Sequence, residues 1–395
     1  MTYKVTVHPI EILTNLLIIF MISTLLQSLT ENIAINKIIG AIIVSLTFLI
    51  CLKHMRKIHF ILLIIFFCNF TFSLYESQNI SRDIIEWIYV YGTFFILLML
   101  TNKNNLKILF NSIKNKIYLI SWISIFCCLF ILSLIFLKIG YVNEWGKGQY
   151  FIGLCNEPHT MASVACLLLS FIFFRCQLER KKRLVFLSLS IIPIYTILET
   201  GARIFLLPAV LFIILNLKIC IKNKVLRFIA YIFGGIIFVF FLMKTSMMSK
   251  FMYALDTKYS TDILDGFTSG RSRFWKTDLD YYLSGNLYQI LFGKSFSSIF
   301  ILNEEVFNTA IGAHNDIIHL LNGTGIIGTG IYIYMIIKII LILKKQIKRS
   351  LFWLSCCIYL IVPMLMNGFF TYQHYVYSFV ILVVALNNPN LIKKT

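Results

Sequence analysis

Charge is the scarcest property of this sequence: Asp, Glu, Lys and Arg together make up 13% of its 395 residues, where an average soluble domain has about a quarter. Acids are the rarer sign, 17 against 36 Lys and Arg. Proline is sparse too, and six Pro with 19 Gly exclude a collagen-like or low-complexity chain. No polar stretch is long enough to fold as a separate soluble domain. There is no Walker-type phosphate loop, no GxGxxG after a strand and no GxSxG elbow, which removes the common nucleotide-binding and serine-hydrolase signatures. A disulfide framework is also lacking. Cys51, Cys68, Cys166, Cys220 and the adjacent pairs Cys127, Cys128 and Cys356, Cys357 lie in or beside apolar segments, where thiols act as small hydrophobes, and Cys155 has no evident partner. His314, Asp316 and His319 do not have metal-ligand spacing, so no structural metal and no cofactor are expected.

What the sequence has in quantity is apolar surface: 59% of residues are hydrophobic and the mean hydropathy is +0.83. This is the composition of an integral membrane protein. Apolar runs at 10–29, 38–52, 58–75, 84–100, 117–138, 160–175, 184–199, 203–218, 226–243, 317–343, 351–370 and 374–388 are each candidates to span a hydrocarbon core as helices. The expected fold is all-α, a polytopic membrane protein of about 12 transmembrane helices forming one domain over 1–395. Lys4 and the run 10–26 imitate a signal peptide, but no small-x-small cleavage site follows, and a retained first helix is expected.

A net charge of +19 would suggest nucleic acid on a soluble protein. Here the basic residues fall at alternate connections: Lys53, Arg56, Lys57; Lys103, Lys107, Lys114, Lys116; Arg175, Arg180, Lys181, Lys182, Arg183; Lys218, Lys222, Lys224, Arg227; Lys344, Lys345, Lys348, Arg349; Lys393, Lys394. The positive-inside rule makes those connections and both termini cytoplasmic, and no nucleic-acid partner is expected. The long stretch 244–316 then lies outside. It is rich in Trp, Phe, Tyr and Ile, which argues for short helices over the outer surface rather than disorder.

Polar residues that carry chemistry gather on that outer side. Arg203 opens a span directly after Glu199 closes one, so it either pairs with Glu199 to pin a tight turn or forms an anion site. Arg271 and Arg273 follow Gly270; they are either surface charge offset by Asp256, Asp262, Asp265, Asp278 and Asp280, or guanidinium donors to a phosphate. Trp275 is an interfacial anchor or a substrate contact. His314 shares helical spacing with Ile317, Ile318 and Leu321, and is a structural histidine or a proton acceptor helped by Asn315 or Asp316. Glu157, before Pro158, is a helix cap, a base or a sugar ligand. Gly323, Gly325, Gly328 and Gly330 read as close-packing positions.

Five of these pieces, in order between about 151 and 332, resemble the O-antigen ligase and O-antigen polymerase superfamily of bacterial envelope enzymes: Gly153 to Pro158; Thr200, Gly201, Ala202, Arg203; Gly270, Arg271 and Trp275; Leu291, Phe292, Gly293; and His314, Asn315, Leu320, Leu321 with Gly325, Ile326, Ile327, Gly328. Ala202 stands where Ser is common in that family, and two clean Arg-x10-Gly motifs of some polymerases are absent. The resemblance implies a multi-pass enzyme of the bacterial cytoplasmic membrane that polymerises lipid-linked polysaccharide repeats, moving glycan from undecaprenyl diphosphate to a sugar hydroxyl. Its implied partners are the undecaprenyl-diphosphate-linked oligosaccharide, membrane lipid, and a flippase and chain-length regulator of the same pathway. Arg203, Arg271 and His314 would be catalytic, and Arg273, Glu157, Asn315 and Trp275 would bind substrate. A ligase acting on finished polymer is the alternative in the same class, and a lipid-linked oligosaccharide flippase the alternative from another.

Overall fold

The computed structural model describes residues 8–29, 35–53, 55–144, 148–179, 182–255, 268, 270–347 and 350–387. Lys4, Arg180, Lys181, Asp256, Asp262, Asp265, Lys348, Arg349, Lys393 and Lys394, which figure in the readings above, lie outside the described residues. Helices fill the apolar runs: α1 (Pro9–Leu25), α2 (Ile35–Leu52), α3 (Lys57–Tyr75), α4 (Ile80–Leu100), α5 (Lys103–Asn115) and α6 (Ile117–Phe136) precede a hairpin of β1 (Tyr141–Glu144) and β2 (Gly148–Phe151). Then come α7 (Pro158–Leu178), α8 (Arg183–Leu189), α9 (Ile191–Glu199), a 3-10 turn at Arg203–Phe205, α10 (Leu206–Cys220) and α11 (Lys224–Lys244). The stretch after α11 carries α12 (Ser246–Leu255), α13 (Arg271–Leu283), α14 (Leu287–Phe292) and α15 (Ser297–Phe307), and the chain finishes with α16 (Asp316–Gln346), α17 (Ser350–Met366) and α18 (Gln373–Leu386).

Among the described residues eight helices are long and apolar enough to cross a membrane, which fits a helical membrane protein. The clearest sign is α11. None of its residues is buried by the rest of the chain, yet it presents Val225, Phe228, Phe233 and Ile236, each more than half exposed. Water would not tolerate such a surface, whereas lipid tails cover it at no cost. At the other extreme α7 and α18 form the centre: every residue of α18 is buried, and it packs chiefly on α7. Polar groups inside that centre satisfy one another, with Ser378 donating to the Cys166 carbonyl at 2.8 Å and Tyr375 to the Tyr359 carbonyl at 2.9 Å. All ten cysteines are unpaired and eight are buried.

Four of the expected runs form α-helices of only 14 to 17 residues, α1, α10, α17 and α18, although the 3-10 turn before α10 brings that element to 18. The run 184–199 is not one helix but two, α8 and α9, meeting at Ser190. Pro193 explains the break, since it has no N–H to give the Leu189 carbonyl; the Cys128 thiol approaches that oxygen at 4.0 Å instead. The fold is all-helical as expected, and the connection after α6 adds only the short β1–β2 hairpin, antiparallel with Tyr141 opposite Phe151. A further helix, α5, occupies what the sequence suggested was a basic loop. Asn102 caps it by accepting from Asn104 N at 2.9 Å, and Leu106, Leu109 and Ile113 at i, i+3 and i+7 bury one face.

Helix α16 is interrupted at Gly325 (φ 62, ψ −169). The kink turns two carbonyls out of the ladder: Asn322 O accepts from Lys294 N at 2.6 Å, and Thr324 O from the Asn69 amide at 2.8 Å. Backbone of α14 presses on the kink so closely that a Cβ on Gly293 would lie 2.6 Å from Gly323 C. The Leu291–Phe292–Gly293 and Gly325 pieces of the resemblance are therefore the two sides of one packing contact. Gly330 has nothing within 4 Å and plays no part in it.

Candidate active site

Six segments meet at the end of the bundle where α16 begins. Two of them are held by the last carbonyls of α17, which have no partner within that helix. Asn315 Nδ2 donates to Leu365 O at 2.9 Å, and Arg271 donates to Met366 O at 2.5 Å; a guanidinium there also suits the negative end of the helix dipole. The chain beyond α17 folds back through Gly368 (φ 114) onto Asp316, whose carboxylate accepts from Phe369 N at 3.0 Å and from the Tyr332 hydroxyl at 2.9 Å. That turn carries Asn367 and Tyr372 to the His314 ring and Arg271.

His314 sits just before α16 with φ 50, a left-handed conformation uncommon for a residue with a side chain. Neighbours hold it there on both sides. Trp275 Nε1 donates to Ala313 O at 2.8 Å, and Asn315 caps α16 by accepting from Ile317 N at 2.9 Å and Ile318 N at 3.3 Å. Asn315 therefore has both ends of its amide on backbone, and Trp275 its indole N–H; both shape the site rather than offering these groups to a ligand.

Arg203 comes from the turn between α9 and α10. Gly201 (φ 64) makes that turn, and a Cβ there would sit 2.5 Å from the Tyr150 ring of β2. The ion pair with Glu199 is not formed. Glu199 instead accepts from Ser246 at 3.0 Å and bonds Tyr141 and Tyr195, while Arg203 lies over Phe251 of α12 at 5.5 Å. Among the described residues neither Arg203 nor Arg271 meets a carboxylate.

Arg203, Arg271 and His314 nevertheless share one field. Arg271 feels Arg203, and His314 feels Arg271. His159, at the start of α7, lies within electrostatic reach of all three and of Lys250 on α12, and stacks on Tyr372 with ring centres 5.9 Å apart. Burial lowers the Arg271 pKa to about 10; Tyr372 opposes the shift and Arg203 adds to it. Burial, then Arg271, lowers the His314 pKa to about 3 against its hydrogen bonds to Asn367, so its imidazole is neutral at physiological pH. The arrangement is a half-buried cationic recess beside a neutral imidazole, which suits an anion.

The remaining nominated residues lie at the rim. Glu157 is exposed, makes no side-chain cap to α7, and acts on Tyr372 and Tyr89. Arg273 is exposed, with its guanidinium 3.3 Å from where a Cβ on Gly270 would stand. Two residues apart on a helix do not share a face, so Arg271 and Arg273 diverge. Lys250, Asn367, Tyr372 and Tyr150 were not singled out by sequence. Lys250 had a signal, a basic residue in the stretch where few are expected; an asparagine and two tyrosines in short connections had none.

Next to the recess, with Tyr372 as common wall, is a cavity of about 240 Å³ between α1, α2, α4, α7 and α18. Thr24, Gln27, Thr160, Ser163 and Gln373 give it hydroxyls and amides beside aromatic walls. No protein-family model matches the chain, and no curated protein sequence matches it.

Proposed function

We propose that this chain is a glycosyltransferase of the bacterial cytoplasmic membrane that polymerises lipid-linked polysaccharide repeats, transferring glycan from undecaprenyl diphosphate to a sugar hydroxyl at the outer face. In this reading the chain crosses the membrane about twelve times with both termini cytoplasmic, and it belongs with the O-antigen ligase and polymerase superfamily. The observation that carries the reading is the meeting of Arg203, Arg271 and His314, drawn from segments 43 to 111 residues apart, in a recess where, among the described residues, neither arginine has a carboxylate partner.

The donor's diphosphate takes up those two guanidinium charges. As the acceptor oxygen bonds to the anomeric carbon, the bond from that carbon to the phosphate oxygen breaks and its electron pair leaves with undecaprenyl diphosphate. Arg203 and Arg271 stabilise the charge growing there, usually the largest single catalytic contribution. The acceptor's proton passes to His314. Burial, then Arg271, keeps its basicity low, and a bound diphosphate offsets the part due to Arg271. Attack opposite the leaving group inverts the anomeric centre. The adjacent cavity, walled by hydroxyls, amides and aromatic rings, suits a sugar acceptor better than an isoprenoid chain.

Arg203→Ala and His314→Ala variants, each verified in the membrane at native level, are expected to lose at least about 100-fold in chain extension, leaving single repeats on the acceptor. Polymer of normal length from both variants overturns the proposal; intact polymer stranded on undecaprenyl diphosphate assigns the chain to the ligase reaction instead.

A further inference from the structure

At the opposite end of the bundle, about 40 Å along α16 from Asp316 at 1.5 Å per residue, lies a larger cavity of about 690 Å³. It opens between the ends of α2, α4 and α16 and the starts of α3 and α5. Arg56, Lys103, Lys338 and Lys345 line it together with His59, and among the described residues no acidic side chain does. Among the described residues none of these four cations has a carboxylate partner; Lys338 rests over the Tyr334 ring at 5.2 Å. Two further polar groups on the wall, His59 Nδ1 and the Gln346 side-chain amide, are buried with no hydrogen-bond partner among the described residues. These four cations are exposed, as are Lys222 and Lys224 before α11. What sets the four apart is that they share the wall of one concave space with unmet polar groups, which suits an anion.

The rest of the wall identifies its kind. Leu98, Met99, Met335, Leu341 and Ile342 line the cavity between the cations. Leu341 is also 50% exposed, and Ile337, one turn earlier, is 51% exposed, so the apolar wall continues onto the outward face of α16. Cations set beside an apolar wall that runs out of the bundle match a molecule carrying both phosphate and hydrocarbon. A soluble phosphate would leave that wall unused.

We propose that this cavity binds the phosphate-bearing headgroup of an anionic phospholipid, with the acyl chains lying along Leu341 and Ile337. The site is separate from the recess at Arg203, and the inference does not depend on glycan transfer. Basic pockets between helix ends are suited to such headgroups because each nearby cation adds to the attraction.

The test uses the purified full chain in non-ionic detergent, titrated with phosphatidylglycerol, phosphatidylcholine or glycerol 1-phosphate, and followed by unfolding midpoint and by native mass spectrometry. Phosphatidylglycerol is expected to raise the midpoint and remain as one retained lipid, while phosphatidylcholine does neither. Lys338→Gln with Lys345→Gln is expected to weaken phosphatidylglycerol by about 30-fold, whereas Lys222→Gln with Lys224→Gln, which removes equal charge at the same end, leaves it unchanged. If the first pair does not fold, Lys345→Gln alone, at an exposed position, is expected to lose about fivefold. Equal binding of phosphatidylcholine, or no loss of affinity in the cavity variants, overturns the proposal. So does an equal loss in both double variants, which would make the effect one of general charge. Glycerol 1-phosphate binding as tightly as the lipid overturns the lipid assignment and makes this a soluble-phosphate site.

Discussion

Adjacent residues in this protein have opposite fates. Asn315 gives its whole side chain to backbone groups, while His314 beside it stands in the recess at φ 50. Sequence offered both as site residues, because local spacing says which helix face a residue takes but not what it will find there. Asp278 on α13 makes the same point. It was read as surface charge offsetting arginine, yet it is fully buried with Asn303 beside its carboxyl group. Burial raises its pKa from 3.8 to about 7, and Asn303 only partly opposes this. Between about pH 4 and 7 the folded protein therefore holds a proton that the unfolded chain has lost, so this group makes stability fall as pH rises through that window and level off above it. Asp278→Asn is expected to flatten that part of the unfolding-midpoint profile between pH 4 and 8. Parallel profiles for the two proteins would mean that Asp278 is ionised throughout.

At the scale of elements, apolar runs located the helices well, since a helix that faces lipid or core must be apolar over most of its length. The failures have local causes: Pro193 splits 184–199, and α5 is too polar to register as an apolar run although Leu106, Leu109 and Ile113 align on one face. The glycines at the start of α16 were read as packing positions, and here the structure separates them. Gly325→Ala is expected to destabilise by about 2 kcal/mol or more, because its backbone conformation is nearly exclusive to glycine and its Cβ would run into α14. Gly330→Ala, with open space around it, is expected to be neutral or to stabilise by about 0.5–1 kcal/mol through helix propensity. Unfolding midpoints in detergent check both, and similar values for the two would remove the packing argument.

Over the whole molecule, burial grades from α18 at the centre to α11 at the edge. Phe233→Lys, near the middle of α11 and 65% exposed, puts a charge where lipid is expected, at a cost of about 2.5–3.5 kcal/mol for insertion. Membrane-integrated yield is expected to fall sharply, and an unchanged yield would show that α11 faces water. The two cavities at opposite ends of the bundle belong to this scale too, since each is walled by helix ends far apart in the chain.

Composition and the spacing of apolar runs determined by themselves that this is a helical, membrane-type chain, where most of its helices lie, and that its arginines and histidines cluster in a few connections. Those properties are local, and a single sequence records local properties directly. Which arginine turns inward was decided only by tertiary packing: Arg271 reaches Met366, Asp316 draws in Phe369, and Tyr150 closes over Gly201. Each of these contacts joins segments about 50 or more residues apart. Whether a charge ends in a recess or in solvent depends on those distant partners, and periodicity along the chain carries no information about them.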